Sequence, residues 1–155
     1  MLEELTGKIY QKLLDYAYYK PRSEREVTDK LKTLCSTYLS EVSDEDLVLV
    51  VKIIRDKTSE DEAFDEVKSV NMYVQSFVNS TQPRSIRSIQ NFLYKKRFKS
   101  DTIDASLAQI PETFEKECIA NIIQKTRKKP ELLKKYLLSK GYRYELIEEV
   151  TSNTD

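Results

Sequence analysis

The sequence predicts an all-α protein, and three observations carry that prediction. The chain has 155 residues with Gly 2 and Pro 4, too few turn-forming residues for a sheet-rich fold. Apolar residues recur three and four positions apart along most of its length, which is the spacing of amphipathic helices. Similar helical patterns return at intervals of about 45 to 60 residues, which is typical of repeat proteins. We therefore expect nine helices in three tandem three-helix repeats.

The first repeat is predicted to span residues 1–57. Its first helix should end near Tyr19, because Pro21 cannot continue it. Ser23 and Glu26 form a capping-box pattern, which predicts the start of a second helix. A third segment has three acidic residues at its start, where the helix dipole favours them. Its apolar run, LVLVVKII, is also compatible with a strand, but the acidic start favours a helix.

The second repeat is predicted to span residues 58–110. Its first helix should begin near Ser59, where an apolar periodicity resumes. The stretch from Pro83 to Leu107 then predicts two short helices joined by a corner. In the first of them, apolar side chains lie on one face and cationic side chains on the other. Ser100 is the expected N-cap of the second helix.

The third repeat is predicted to span residues 111–150, followed by a flexible tail at 151–155. Pro111 and Pro130 are expected at the first positions of two helices, where proline is favoured. Gly141 is the natural residue to end the second of these helices, and a last short helix follows it.

Aligning the middle helices of the three repeats places apolar residues in shared columns. Phe98 and Tyr142 share a position after the corner. Since each repeat is too small to bury a core alone, we expect these columns to be buried. The two columns are Val27, Ile89 and Leu133, and Leu31, Leu93 and Leu137.

The residue inventory argues against an enzyme or a cofactor site. The chain contains His 0, and Cys35 and Cys118 lack the spacing of a metal or redox motif. Its glycines form no phosphate-binding loop. We therefore expect no catalytic, cofactor or metal site, and we expect both cysteines to be buried thiols. No apolar run is long enough to span a membrane, and nothing resembles a secretory signal, so the expected location is the cytoplasm.

The charge is balanced overall but unevenly distributed. Residues 1–70 carry 11 Lys and Arg against 16 Asp and Glu, a net charge of −5. Residues 71–155 carry 15 against 10, a net charge of +5. A basic half is suited to a polyanion or an acidic protein surface, although a solvated helix face explains such counts equally well.

Three segments of the chain resemble the RecX family of bacterial regulators of the RecA recombinase. The resemblance covers nearly the whole chain, and it rests on the order and spacing of motifs that are individually weak. Three departures stand out. Arg97 occupies the corner position where the family usually has glycine, the family's glycine-leucine-aspartate linker between the first two repeats is missing, and the first repeat is several residues longer. The three segments are PRSEREVTDKL, then NMYVQSFV with PRSIRSIQNFLYKKRFKSDTIDASL, and KKPELLKKYLLSKGYRYELIEEV.

The resemblance implies an elongated, curved, all-helical array that acts by binding. It implies a monomer that lies along the groove of a RecA filament on single-stranded DNA, and limits filament growth, ATP hydrolysis and strand exchange in recombination and DNA repair. No membrane is implied. The residues expected to face the filament or DNA are basic, and their alternative interpretation is a solvated helix face. They are Arg84, Arg87, Lys95, Lys96 and Lys99 in the second repeat, and Lys128, Lys129, Lys134 and Lys135 in the third.

Two other interpretations of the residues remain open. A basic helix after a short corner also occurs in helix-turn-helix domains, so the chain could contact single- or double-stranded DNA directly through the phosphate backbone. The segment from Leu132 to Tyr142 would then be the recognition helix. The chain could also be a helical scaffold for another partner. Tyr16, Tyr18 and Tyr19 could stack on bases, but we expect Tyr16 in the core and the other two between repeats.

Overall fold

A computed structural model describes residues 2–60 and 64–152 of the chain. These residues form nine α-helices and no strand, which confirms the predicted all-α class. None of the described helices is both long and apolar enough to cross a membrane. The helices are α1 (Leu2–Tyr19), α2 (Glu24–Tyr38), α3 (Asp44–Glu60), α4 (Glu66–Val78), α5 (Ile86–Lys95), α6 (Ser100–Leu107), α7 (Thr113–Lys125), α8 (Pro130–Ser139) and α9 (Tyr144–Ser152).

The chain divides into two compact units. Unit 1 comprises Met1–Ser69 with Lys96–Phe98, and unit 2 comprises Val70–Lys95 with Lys99–Asp155. The corner between α5 and α6 therefore belongs to unit 1, although both of its flanking helices belong to unit 2. The division of the sequence into three repeats stays a prediction.

Unit 1 is built around the buried faces of α1, α2 and α3. Ile9 and Leu13 of α1 and Val50 and Ile54 of α3 are almost completely buried. The LVLVVKII run is helical, as its acidic start predicts. The other members of this core cluster are Val27, Leu31, Leu34, Cys35 and Leu39.

Unit 2 contains the core of the C-terminal helices and an aromatic group. Ile119, Leu137 and Ile147 have no exposed surface and join α7, α8 and α9. The Phe92 ring makes edge-to-face contacts with Phe77, at a centroid distance of 5.0 Å, and with Tyr73, at 5.2 Å. The aligned columns are buried as predicted, with at most 7% of any of the six residues exposed. Phe98 of unit 1 and Tyr142 of unit 2 are also buried.

Four predicted element boundaries are wrong. The α3 helix runs to Glu60, and α4 begins at Glu66 and not near Ser59. The reason is Asp65, whose carboxylate accepts a hydrogen bond from the Lys68 amide and so caps α4. Residues 61–63, which include part of the predicted helix start, lie outside the described residues.

The other three boundary errors are small. Pro111 precedes the first residue of α7, Thr113, by two positions, because Glu112 is the N-cap. Ser100 is already helical, and Lys99 is the N-cap without a side-chain cap bond. The predicted tail is helical at residues 151–152, and its remainder lies outside the described residues.

Candidate functional site

The tripeptide Pro-Arg-Ser begins the second helix of the first two predicted repeats. In both places the serine caps the helix: the Ser23 hydroxyl accepts the Glu26 amide hydrogen, and the Ser85 hydroxyl accepts the Ser88 amide hydrogen, both at 3.1 Å. The Glu26 carboxylate also accepts the Ser23 amide hydrogen, so the predicted capping box is confirmed. We call each tripeptide a PRS turn.

The arginine of each PRS turn packs on an aromatic ring of the preceding helix. The Arg22 guanidinium lies 3.7 Å from the centroid of the Tyr16 ring, and its Nε donates to the Tyr16 carbonyl at 3.0 Å. The Arg84 guanidinium lies 4.4 Å from the Phe77 centroid and 5.8 Å from the Phe92 centroid. These cation–π contacts hold the end of one helix against the start of the next.

A glutamate from a later helix, the first helix of the following predicted repeat, binds the amide that follows each PRS turn. Glu66, at the start of α4, accepts the Glu24 amide hydrogen at 3.0 Å. Glu115, in the first turn of α7, accepts the Ile86 amide hydrogen at 2.8 Å. A carboxylate at a helix N-terminus is favoured by the helix dipole. We call the hydrogen bond between this glutamate and the amide after the PRS turn a joint. One joint lies in unit 1 and the other in unit 2.

The corner between α8 and α9 is held against the second PRS turn. In unit 2 the Ser85 hydroxyl donates to the Lys140 carbonyl at 2.6 Å. Gly141 has φ +94°, and a Cβ on it would lie 2.9 Å from Ser85 Oγ and 3.2 Å from Arg87 Cβ. The amides of Gly141 and Tyr142 close a Schellman motif on α8. Glycine is thus required at this corner for its backbone angle and for the close approach.

Arg97 occupies the corresponding position after α5, and its φ is +65°. This left-handed conformation is unfavourable for arginine. Its guanidinium donates to the Asp29 carboxylate at 2.6 Å in unit 1. This bond lowers the pKa of Asp29. The Arg97 side chain therefore has a specific partner on α2.

Two predicted site residues of the second repeat form the exposed stripe that the sequence indicates. Arg87 and Lys95 are exposed on α5, opposite the buried Ile89 and Leu93. No ion pair to either side chain occurs within residues 2–60 and 64–152. They are available to a partner.

The other three predicted residues of this repeat are placed differently. Arg84 is half-buried, and its Nη1 atom has no hydrogen-bond partner in the described part of the chain. Its contacts hold α4 against α5. Lys96 is half-buried in the corner that belongs to unit 1, and Lys99 is exposed at the N-cap of α6. The five cations therefore do not form one continuous stripe.

The predicted site residues of the third repeat lie just before α8, at Lys128 and Lys129, and within it, at Lys134 and Lys135. Lys128 Nζ lies 5.1 Å from the Tyr136 centroid, and Lys140 Nζ lies 5.4 Å from the same centroid. Lys134 pairs with Glu148 at 2.8 Å, so its charge is matched internally. Lys129 and Lys135 are exposed.

The fold gathers cations that the sequence analysis treated separately. The Lys128 and Lys140 Nζ atoms both lie near the Tyr136 ring, and the Arg87 side-chain stem lies against Gly141, the residue after Lys140. We call Lys128 and Lys140, which share the Tyr136 ring, the corner cluster. Lys140 was part of a quoted motif but was not predicted as a site residue.

Lys20 is a second cation that the sequence analysis missed. It precedes the first PRS turn and lies beside Lys96, although 76 residues separate them in sequence. The neighbouring Lys96 side chain is the main cause of a lowered pKa at Lys20. No sequence signal predicts that these two lysines are neighbours. They meet because the corner at Lys96–Phe98 belongs to unit 1, as Lys20 does.

The described residues contain no group of three or more His, Cys, Asp or Glu side chains arranged to hold a metal ion. Cys35 is buried and Cys118 is half-buried, and both are free thiols. Burial raises the pKa of both thiols. Burial likewise raises the pKa of the Tyr142 hydroxyl, which lies close to Cys118. These shifts favour the protonated forms of all three groups.

No protein-family model and no curated protein sequence matches this chain. Solved structures do match. The crystal structure of RecX from Lactobacillus salivarius is similar with a TM-score of 0.76 and 22% identity, over 97% of this chain and 97% of that one. A crystal structure of regulatory protein RecX is similar with a TM-score of 0.69 and 22% identity, over 96% of this chain and 73% of that one. The described part of the chain, residues 2–60 and 64–152, therefore has the fold of the RecX crystal structures.

Proposed function

We propose that this protein is a RecX-type regulator that binds the RecA filament on single-stranded DNA. It lies along the filament groove and limits filament growth, ATP hydrolysis and strand exchange. The single observation that carries the proposal is the likeness to a RecX structure over 97% of both chains. The motifs of three predicted repeats, at residues 1–57, 58–110 and 111–150, support it independently.

The basic residues of unit 2 are the proposed contact surface. Arg87 and Lys95 on α5 are exposed, and the corner cluster adds Lys128 and Lys140. Exposed cations of this kind bind phosphates or acidic protein surfaces with an affinity that falls with salt. Lys99, Lys129 and Lys135 are exposed and remain proposed members of the surface. Arg84 and Lys134 act through their internal contacts, by positioning α5 and α8.

The proposed activity is regulation by binding, without a catalytic step. Occupying the groove excludes contacts between recombinase subunits and slows ATP hydrolysis by steric competition. The basic surface gives this binding a second source of affinity from the DNA backbone. Direct binding to DNA alone is the competing function, and the same experiment separates the two.

The test is single-stranded-DNA-dependent ATP hydrolysis by the cognate RecA, titrated with this protein from substoichiometric to equimolar ratios. Binding to naked DNA is measured in parallel under the same buffer. We expect inhibition well below the concentration that binds naked DNA. Absence of inhibition together with tight DNA binding would replace this proposal with the DNA-module function. Absence of both would leave a scaffold for another partner.

Charge reversal tests the contact surface. Arg87→Glu with Lys95→Glu should raise the concentration needed for inhibition by roughly tenfold, because two favourable contacts become repulsive. The matched control is Lys52→Glu with Lys68→Glu, which changes the charge equally at exposed positions of α3 and α4. Equal inhibition by both variants at moderate salt would remove α5 from the interface.

A further inference from the structure

A groove between α1 and α2 in unit 1 combines positive charge with tyrosine rings. Its volume is about 510 Å³, within the range of small-molecule sites. Three cations, Lys12, Arg22 and Lys30, face it with one carboxylate, Asp15. This excess of positive charge is unexpected in residues 1–70, which carry a net charge of −5.

The base of the groove is a buried arginine. Only 8% of Arg22 is exposed, and its guanidinium is held by the Tyr16 ring and the Tyr16 carbonyl. Glu26 forms an ion pair with Arg22 at 3.9 Å from its Nη1, and Arg22 is one of the residues that line the groove. Lys30 Nζ lies 5.4 Å from the Tyr16 ring. A guanidinium held in place in this way loses little freedom when it binds a phosphate.

The opposite wall of the groove is ordered by similar contacts. Lys12 Nζ lies 5.8 Å from the Tyr38 ring, and Lys8 Nζ lies 4.9 Å from it. These contacts place both ammonium groups against the Tyr38 ring, and Lys12 and Tyr38 both line the groove. The Gln11 side-chain amide Nε2 donates a hydrogen bond to Asp15 Oδ1 at 3.0 Å, which occupies one oxygen of the carboxylate.

Tyr19 supplies an open aromatic ring at the edge of the groove. It is 82% exposed, and the Arg22 guanidinium lies 6.0 Å from its centroid. The expectation that Tyr18 and Tyr19 pack between repeats is wrong, since Tyr18 is also 69% exposed. Lys20 follows Tyr19 and adds further positive charge beside Lys96.

We propose that the α1–α2 groove binds a nucleoside phosphate, with the phosphate on Arg22, Lys12 and Lys30 and the base stacked on Tyr19. A phosphate alone would contact only the cations, and an apolar ligand would contact only the aromatic ring. A ligand that carries both an anionic and a flat aromatic group matches both features. The ligand is either a free nucleotide or one unit of a single strand. This site does not depend on the proposed recombinase regulation.

The test is calorimetric or NMR titration of the intact protein, without recombinase, using adenosine 5′-monophosphate, adenosine, inorganic phosphate and a short oligothymidylate. We expect the monophosphate to bind more tightly than either of its parts. Oligothymidylate binding at the same groove identifies a single strand as the source, and binding of the monophosphate alone identifies a free nucleotide. No binding of either, or a monophosphate no tighter than phosphate, overturns the proposal.

Variants locate the site without disturbing the PRS turn. Tyr19→Ala should weaken binding by roughly fivefold or more, since stacking on an aromatic ring accounts for that much per base. Tyr94→Ala, which removes another exposed tyrosine outside the groove, is its control. Lys12→Gln with Lys30→Gln should weaken binding and reduce its salt dependence, whereas Lys52→Gln with Lys68→Gln should do neither. Unchanged binding in both groove variants overturns the assignment.

Discussion

Arg97 and Gly141 hold the same position, the first residue beyond the cap of a helix, and solve its backbone requirement differently. Gly141 adopts φ +94° without penalty, and its missing side chain makes room for Ser85. Arg97 adopts φ +65° as a non-glycine residue and reaches Asp29 instead. The left-handed backbone of Arg97 is destabilising, and the ion pair with Asp29 offsets part of this cost. An exposed pair of this kind is weakened by salt.

We expect Arg97→Gly to raise the melting temperature by about 2 °C in high salt. Left-handed backbone costs arginine about 1 kcal/mol, which corresponds to roughly 2–4 °C in a chain of this size, and the greater freedom of glycine in the unfolded chain offsets part of it. In low salt the gain should be smaller, because the ion pair between Arg97 and Asp29, which the variant lacks, stabilises the wild type more when it is not screened. The measurement is thermal unfolding by circular dichroism at two salt concentrations.

Gly141→Ala is the matched change at the other corner, and its effect should have the opposite sign. The new Cβ would lie 2.9 Å from Ser85 Oγ on a backbone with φ +94°. We expect a loss of about 1–3 kcal/mol in the free energy of unfolding. A stable Gly141→Ala variant would mean that this corner opens readily.

The ion pair between Lys134 and Glu148 predicts a pH dependence. Its hydrogen bond holds the pKa of Glu148 below the ordinary value of 4.5. The pair therefore stabilises the fold at pH values above 4.5, and this contribution is lost as the pH falls through the lowered pKa. The free energy of unfolding of Lys134→Met should be lower than that of the wild type at neutral pH. The difference between the two should disappear in acid.

Denaturant unfolding at a series of pH values measures that gap. Lys135→Met, which removes an exposed lysine from the same helix, is the control and should show no such convergence. A constant difference between wild type and Lys134→Met across the acid range would show that the ion pair does not contribute.

The joints between helices rest on single carboxylates. Glu115 of α7 is 3% exposed and binds the Ile86 amide at the start of α5, while its second oxygen lies 3.6 Å from Arg143. The corresponding bond in unit 1 joins Glu66 to Glu24. Each joint fixes the start of one helix against a later helix and satisfies an amide that has no partner inside its own helix.

We expect Glu115→Ala to cost about 1–3 kcal/mol in the free energy of unfolding, because the Ile86 amide loses its acceptor in a partly buried position. Glu115→Gln retains an oxygen acceptor and should cost less. Glu117→Ala changes an exposed glutamate of the same helix and serves as the control. Denaturant unfolding measures all three variants, and equal stability of Glu115→Ala and Glu117→Ala would contradict the role of the joint.

The molecule as a whole carries no net charge, but its C-terminal half is basic. A polyanionic partner therefore experiences a local field that the total charge conceals. If Arg87 and Lys95 each contact one phosphate, Arg87→Gln with Lys95→Gln removes two such contacts. The magnitude of the slope of log affinity against log salt, for binding to the filament on single-stranded DNA, should then fall by about 1.4. Affinity measured from low to moderate salt provides the slope. An unchanged slope would place both side chains away from phosphate.

The sequence was sufficient for the helical class because helix formation is encoded locally. Apolar spacing identified all nine helices of the described residues, and the buried columns followed from the same periodicity. The boundaries were less certain where two signals competed. At the α3–α4 junction a continuing apolar pattern concealed the cap at Asp65.

The candidate sites were only partly encoded in this local pattern. The sequence identified Arg87 and Lys95 as a cationic stripe, since helical spacing places them on one face. It did not distinguish Arg84, whose charge is used internally on Phe77, from its exposed neighbours. Nor did it place Lys20 beside Lys96, because that pairing depends on the chain returning to unit 1 after α5.

Local sequence therefore determined the helices, the capping box at Ser23 and the apolar faces, because these depend on residues a few positions apart. Tertiary structure alone decided which charges stay available and which are used inside the fold. It also decided that Arg22, Lys12 and Lys30 converge with Tyr19 on one groove. The physical reason is that charge pairing and cation–π contacts depend on distances across helices, and the order of residues along the chain does not specify these distances.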